Sequence, residues 1–146
     1  MIIGLLHGPN LNELGKRAID TYGTFTLTDI IDHLTRICEK THHRCIHFQS
    51  HHEGDLIRTL WDWKAQNIDG VIINPGAYAH TSIALRDAIS DTQLPTIEVH
   101  ISNLYAREAF RHTSLTGSVC KGVITGLGLF GYEAALQCFL HSKPSP

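Results

Sequence analysis

Short apolar runs alternate along the chain with segments whose apolar residues recur at helical spacing. The first run, IIGLL at 2–6, is apolar at every position, as in a strand buried on both faces of a sheet. Helical spacing follows in TLTDIIDHLTRICEK at 26–40, where Thr26 or Thr28 is a candidate N-cap. Because an all-parallel sheet needs a crossover after each strand, this alternation constrains the fold more than any other feature.

The same alternation continues to residue 140. The expected strands are 45–50, 70–76, 95–102 and 122–128, and the expected helices are 53–66, 82–91 and 132–140, with one helical turn or more at 106–110. This order predicts an α/β fold, a flavodoxin-like three-layer sandwich with a five-stranded parallel sheet. We expect a single domain over residues 1–146, with a frayed tail at about 142–146.

Composition and charge exclude several classes of protein. Hydrophobic residues make up 42% of the 146 residues, which is enough for a core and too many for a disordered chain. The formal net charge is −2 and the basic residues are scattered, so we expect neither nucleic acid nor membrane as a partner. The N-terminal segment has no basic leader of the signal-peptide kind. The four cysteines lack C-x-x-C spacing, which favours a cytoplasmic protein without a zinc site or a disulfide framework.

Polar side chains gather in the sequence at and after the ends of three predicted strands. In a parallel sheet, ligands bind beyond the carboxyl ends of the strands, so these side chains are expected to meet at one edge. They are Asn10, Arg17 and Tyr22 after the first strand, Asn74 and His80 after the third, and Glu98, His100, Ser102, Arg107 and Arg111 at and after the fourth. Taken singly, each residue has an ordinary explanation as a turn, a cap or an ion pair. It is their convergence that predicts a ligand site.

These residue types suit acid–base chemistry on a small anion. An arginine can bond both oxygens of a carboxylate. A tyrosine acts as a base only when its pKa falls well below the reference value of about 10, and a neighbouring guanidinium favours the phenolate. We therefore expect Arg17 to activate Tyr22 in the loop 15–23, which is also a candidate lid. We expect His100, oriented by Glu98 or a backbone group, to donate a proton to a leaving group.

Motifs for other chemistries are missing or incomplete. The sequence contains no G-x-x-x-x-G-K-[ST] phosphate loop, no G-x-S-x-G nucleophile elbow and no H-E-x-x-H zinc motif. GLGLFG at 126–131 lies at the last strand and lacks an acidic partner at the usual distance, so we interpret it as close packing between strand and helix. No metal or cofactor is expected.

Several long segments resemble type II 3-dehydroquinate dehydratases, in order and with matching spacings over essentially the whole chain. They are HGPNLNELGKRAIDTYG, FQSHHEGDLI, INPGAYAHTSIALRDAI, and IEVHISNLYAREAFRHTS followed by GVITGLGLFGYEAAL. The resemblance implies a trans-dehydration of 3-dehydroquinate to 3-dehydroshikimate through an enolate, without a metal or a Schiff-base lysine. The resemblance places this reaction in the shikimate pathway or in quinate catabolism. The resemblance also implies a homododecamer built of trimers.

The resemblance also assigns roles by motif. Tyr22 is similar to the proton acceptor, Arg17 to its activator, Asn10 to the residue that holds the enolate through a water, and His100, beside Glu98, to the proton donor. The implied substrate contacts are Asn74, His80, Arg111 and the backbone at Ile101 and Ser102. Asp87 matches an acidic residue that reaches a neighbouring subunit's site, and Arg107 matches a second arginine on the lid side.

Two positions depart from the family pattern, and two other functions stay open. Arg17-Ala18-Ile19 stands where Arg-Glu-Pro is common, which leaves the loop less restricted in φ, and His51 stands where asparagine is common. One alternative is a nucleotide or flavin site, although the proline and bulky leucines of GPNLNELG fit a phosphate cradle poorly. The other alternative is a non-catalytic binding homologue, against which the intact Tyr22, Arg17 and His100 argue.

Overall fold

The computed structural model describes residues 1–141, so the expected frayed tail at 142–146 lies outside the described residues. Five strands form one sheet: β1 (Ile2–His7), β2 (Arg44–Gln49), β3 (Gly70–Asn74), β4 (Thr96–His100) and β5 (Gly122–Thr125). Every pair of neighbours is parallel, and the order across the sheet is β2-β1-β3-β4-β5. This order is the flavodoxin-like one, which confirms the predicted fold class.

Helices cover both faces of the sheet. They are α1 (Ile19–Tyr22), α2 (Leu27–Lys40), α3 (Glu53–Ala65), α4 (Tyr78–Thr81), α5 (Ile83–Thr92) and α6 (Leu129–Leu140). Helices α2 and α6 pack on the face that presents Ile3 and Leu5, while α3 and α5 pack on the face that presents Leu6 and Val71. Alternate residues of a strand point to opposite faces, so each buried strand supplies both halves of the core.

Helix starts follow the capping chemistry of the sequence. Thr26, one of the two candidate caps, accepts a hydrogen bond from the Asp29 N–H at 3.1 Å, and the Asp29 carboxylate accepts one from the Thr26 N–H at 2.8 Å. This reciprocal pair is a capping box. Ser82 caps α5 through the Leu85 N–H at 2.9 Å. None of the helices within residues 1–141 is both long and apolar enough to span a bilayer.

Several local predictions differ from the structure, and three of them concern segments near the ends of β1, β4 and β5. The last strand ends at Thr125 rather than at residue 128, because Gly126 and Gly128 both have positive φ and turn the chain into α6. The expected helical turn at 106–110 is instead two 3₁₀ turns, Leu104–Ala106 and Ala109–Arg111, with extended backbone at Arg107 between them. The loop 15–23 contains one helical turn, α1, which ends at Tyr22.

Candidate active site

A cleft opens at the carboxyl ends of β1, β3 and β4, where the sequence predicted a ligand site. Ten of the predicted residues line it: Asn10, Arg17, Tyr22, Asn74, His80, His100, Ile101, Ser102, Arg107 and Arg111. Glu98 lies fully buried behind His100. Asp87 does not line the cleft of its own chain. It lies on the exposed side of α5, where its carboxylate pairs with Arg86 at 2.9 Å.

Two guanidinium groups face the Tyr22 phenol. Arg107 donates a hydrogen bond from Nη1 to the Tyr22 hydroxyl at 2.9 Å and another to the Ser102 hydroxyl at 3.1 Å. Arg17 lies over the ring, with its Cζ 4.7 Å from the ring centroid. Both positive charges therefore lie against the same phenol. Sequence proximity pointed to Arg17 alone, but the hydroxyl itself is contacted by Arg107, which is 85 positions away.

The opposite wall of the cleft carries a histidine held by a buried carboxylate. His100 Nε2 lies 2.6 Å from Glu98 Oε1, and both side chains are almost completely buried. Since a carboxylate oxygen only accepts hydrogen bonds, Nε2 carries a proton and Nδ1 is the nitrogen left for a ligand. The His80 ring stacks on the His100 ring at 6.2 Å, and its Nδ1 donates to the Thr113 carbonyl at 2.8 Å.

The Asn74 carboxamide is held at both of its ends at the tip of β3. Its Nδ2 donates to the Tyr132 hydroxyl at 2.9 Å, and its Oδ1 accepts from the Gly76 N–H at 3.1 Å. One amide proton stays available to a ligand. Gly8 has to be a glycine here, since an added Cβ would collide with the Pro75 carbonyl. The ends of β1 and β3 are thereby brought close together beneath the cleft.

Asn10 and Arg111, the remaining predicted residues, are held by hydrogen bonds to different partners. Asn10 is exposed and has a φ of 67°, in the left-handed region that asparagine tolerates, and its N–H donates to His51 Nδ1 at 3.1 Å. His51 therefore holds the backbone of Asn10 in place. Arg111 donates from Nε to the exposed Glu108 carboxylate at 2.8 Å. Its remaining guanidinium nitrogens are available to an anion in the cleft.

Other residues of the site gave no clear signal in the sequence. Leu11 and Leu104 line the cleft as apolar groups that look like ordinary core residues in the sequence. Tyr132 lies in the apolar segment YEAALQCFL. Apart from its hydroxyl group, nothing in that segment predicts the hydrogen bond with Asn74. Ser114 and Thr116 contact Glu98 from a loop far from it in sequence. Within residues 1–141, no group of three or more His, Cys, Asp or Glu side chains is arranged to hold a metal ion.

Comparison with known proteins identifies the family of the chain. The profile of the family described as "Dehydroquinase class II" matches residues 1–140. The chain belongs to the class II dehydroquinase family. It is 50% identical over 139 residues to the 3-dehydroquinate dehydratase of Bacillus licheniformis, with 95% of each chain covered. It is 48% identical over 139 residues to that of Bacillus subtilis, with 95% of this chain and 93% of the relative covered.

Solved structures of the family share the fold over nearly the whole chain. The type II dehydroquinase of Butyrivibrio crossotus superimposes with a TM-score of 0.94 at 40% identity, covering 96% of this chain and 97% of that one. The type II dehydroquinase of Propionibacterium acnes gives a TM-score of 0.92 at 38% identity, with 97% of each chain covered.

Proposed function

We propose that the protein is a 3-dehydroquinate dehydratase that removes water from 3-dehydroquinate through an enolate. The observation that carries the proposal is the pairing within one cleft of a phenol between two guanidiniums and a histidine on a buried carboxylate. A base and an acid on separate walls are what an elimination requires, since one proton is removed from carbon while another is given to the departing hydroxyl. Family membership and the named relatives support the same reaction.

Tyr22, as the phenolate, removes the proton from the carbon next to the ketone. The electron pair of that C–H bond forms the enolate, which Asn10 helps to hold through a water molecule. Arg17 and Arg107 stabilise the negative charge while it moves from the phenolate to the enolate. His100 then gives a proton to the departing hydroxyl, which leaves as water while the enolate collapses to the conjugated enone. The products are 3-dehydroshikimate and water, so no oxidant or reductant is consumed.

The other cleft residues bind and orient the substrate in this proposal. Arg111 binds the substrate through the guanidinium nitrogens that do not contact Glu108. Its substitution by alanine is expected chiefly to weaken substrate binding. His80 and the remaining amide proton of Asn74 contact substrate oxygens, with the backbone at Ile101 and Ser102. The loop 15–23 brings Tyr22 and Arg17 over the cleft together, so its closure excludes water from the reacting atoms.

The reaction is tested by following the ultraviolet absorbance of the conjugated enone acid. Wild-type protein should turn over 3-dehydroquinate with a chelator present. Tyr22→Phe should lose turnover by about 10²- to 10⁴-fold, as expected for loss of a general base, while calorimetry still detects ligand binding. Tyr105→Phe is the matched control, because Tyr105 is 70% exposed and outside the cleft. Near-normal turnover by Tyr22→Phe would show that another group is the base.

We further propose that the chain assembles as a homododecamer of trimers, in which Asp87 reaches a neighbouring subunit's cleft. Asp87 is exposed on α5 and does not line its own cleft, and Phe110, Ile83 and Phe130 are each at least 60% exposed apolar side chains. Sedimentation velocity should give a mass near twelve times 16.3 kDa. A particle of the monomer mass at micromolar concentration would contradict this assembly.

A further inference from the structure

Glu98 is a fully buried carboxylate whose two oxygens are both occupied by hydrogen-bond donors. Oε1 accepts from His100 Nε2 at 2.6 Å and from the Ser114 hydroxyl at 2.6 Å, while Oε2 accepts from the Thr116 hydroxyl at 2.5 Å. An ionised carboxylate is costly to bury unless such donors replace water. The two hydroxyls come from the loop that precedes β5, so this loop closes over the carboxylate from outside the sheet.

The surrounding backbone orients these hydroxyls toward Glu98. The Gly117 N–H donates to Ser114 Oγ at 2.9 Å, so the hydroxyl proton of Ser114 is directed to Glu98. Thr116 is completely buried, and its carbonyl oxygen accepts a hydrogen bond from the Cys120 thiol at 3.3 Å. The donors are therefore held in place before any ligand binds, rather than being recruited from a mobile surface.

Charges near Glu98 support its ionised form. Burial by itself raises the pKa of the Glu98 carboxyl, but the hydrogen bond and charge of His100 and the hydroxyls of Ser114 and Thr116 outweigh burial and lower it below its usual value. Cys120 lies near Glu98 and adds no charge, because burial and the charge of Glu98 raise the pKa of this thiol to about 12. His80 lies beyond His100, ring on ring.

We propose that Ser114 and Thr116 are positioning residues of the dehydration: they keep Glu98 ionised and oriented so that it holds His100 protonated and aimed at the departing hydroxyl. This inference rests on the proposed function of the cleft. His100 gives up one proton in each turnover and must regain it. An ionised Glu98 accepts the Nε2–H of His100 and keeps the ring in place, whereas a neutral or rotated carboxyl does not. The two hydroxyls act on the reaction only through Glu98.

The sign of the pH dependence follows from the lowered pKa of Glu98. The carboxylate is fully ionised above the usual glutamate range and becomes protonated as the pH falls through its lowered pKa, so the rate falls on the acid side. Thr116→Val removes one donor at nearly constant volume and raises the pKa of Glu98. A hydrogen bond to a charged group corresponds to a shift of roughly one pH unit. The acid limb of the rate profile should move up by that amount.

Four variants separate the hydroxyl effect from a structural one. Thr116→Val and Ser114→Ala should each shift the acid limb upward by roughly one pH unit, so that kcat falls by up to about 10-fold on that limb and is nearly unchanged at pH 7. KM should stay within about 2-fold. Thr116→Ser restores the hydroxyl and should restore the wild-type profile. Ser118→Ala is the control, because the Ser118 hydroxyl bonds the Leu115 carbonyl and is exposed. Ser114→Ala carries the test alone if Thr116→Val does not fold.

A second readout does not depend on turnover. The chain has six glutamates, so the carboxyl carbon of Glu98 can be followed by NMR in ¹³C-glutamate-labelled protein and assigned with Glu98→Gln. Its titration midpoint should rise by roughly one pH unit in Thr116→Val and stay at the wild-type position in Ser118→Ala. An unchanged midpoint together with an unchanged acid limb would overturn the proposal. A shifted midpoint in a protein that does not act on 3-dehydroquinate would instead show that the assigned reaction is wrong.

Discussion

The role proposed for Tyr22 depends on two arginines that contact its side chain. Its hydroxyl accepts from Arg107 while Arg17 lies over its ring, so two positive charges act on one phenol. The sequence placed Arg17 beside Tyr22 because the two are five positions apart in one loop. It gave no comparable reason to place Arg107 there, since that contact depends on how the segment after β4 folds back over the cleft.

We expect Arg17→Met and Arg107→Met each to reduce turnover by about 10- to 100-fold, the range of a charge-assisted hydrogen bond. Each substitution removes one of the two positive charges next to the phenol, and methionine keeps a similar side-chain length. Steady-state kinetics at a fixed pH measures the turnover of both variants. Arg36→Met, an exposed arginine on α2, is the control.

The assignment is checked further by combining substitutions. If both arginines act through the phenol, adding either substitution to Tyr22→Phe should change the residual turnover by less than about 2-fold. If each arginine substitution lowered turnover as much in the Tyr22→Phe background as in the wild type, the arginines would act on the substrate directly. Full activity of Arg107→Met would remove this residue from the chemistry despite its hydrogen bond.

At the scale of elements, the sequence was most informative where the periodicity was long. Helix α2 spans Leu27–Lys40 and the expected helix was 26–40, because its apolar spacing and its cap agree. The segment 104–111 has no such periodicity, so two 3₁₀ turns were mistaken for a helical turn. The extension of β5 past Thr125 was wrong because apolar letters in GVITGLG do not reveal the positive φ of its glycines.

The capping box of α2 distinguishes two threonines that the sequence left equivalent. Thr26→Ala should lower the free energy of unfolding by about 1 kcal/mol, because the Asp29 N–H loses its acceptor at the start of the helix. Thr28→Ala is the matched control, and it should change stability by less than about 0.5 kcal/mol. Urea unfolding followed by circular dichroism measures both variants. Equal losses in the two variants would show that the capping box adds no stability.

At the scale of the whole molecule, the sheet order and the position of the cleft were predictable and the buried polar network was not. The alternation of strands and helices leads directly to parallel order and hence to a site at the carboxyl ends. Which hydroxyl meets Glu98, and which ring covers His7, depends on loops and helix faces that packing alone determines. These contacts decide how the whole protein responds to acid.

His7 links the stability of the fold to pH. It is completely buried at the end of β1 and packs against the Tyr132 ring at a centroid distance of 5.6 Å. Among residues 1–141, neither ring nitrogen has a hydrogen-bond partner of good geometry, and the Phe48 backbone nearby only partly favours the charged ring. Burial, and secondarily the nearby His47, lowers the pKa of His7 from 6.5 to about 3. The folded protein therefore holds His7 neutral in a pH range where the unfolded chain protonates it.

The stability gained from a neutral His7 is fully present above pH 6.5 and is lost progressively as the pH falls toward 3. Between pH 7 and pH 5 the loss is about 2 kcal/mol in the free energy of unfolding. Glu98 protonates only below the usual glutamate range, so it adds little in this window. His7→Leu keeps an apolar group against Tyr132 and cannot be protonated. Its stability should therefore fall by about 2 kcal/mol less than that of the wild type.

Urea unfolding at pH 7 and pH 5 measures this difference, and the comparison between wild type and variant is made at one protein concentration because assembly affects apparent stability. His52→Gln is the control, because this exposed histidine should leave the wild-type pH dependence in place. An identical loss of stability in wild type and His7→Leu would mean that His7 finds a proton acceptor or water in solution. The acid sensitivity would then have to arise from other groups. A reduced loss confined to His7→Leu would identify one buried imidazole, directly behind the cleft, as a main source of acid sensitivity for the entire fold.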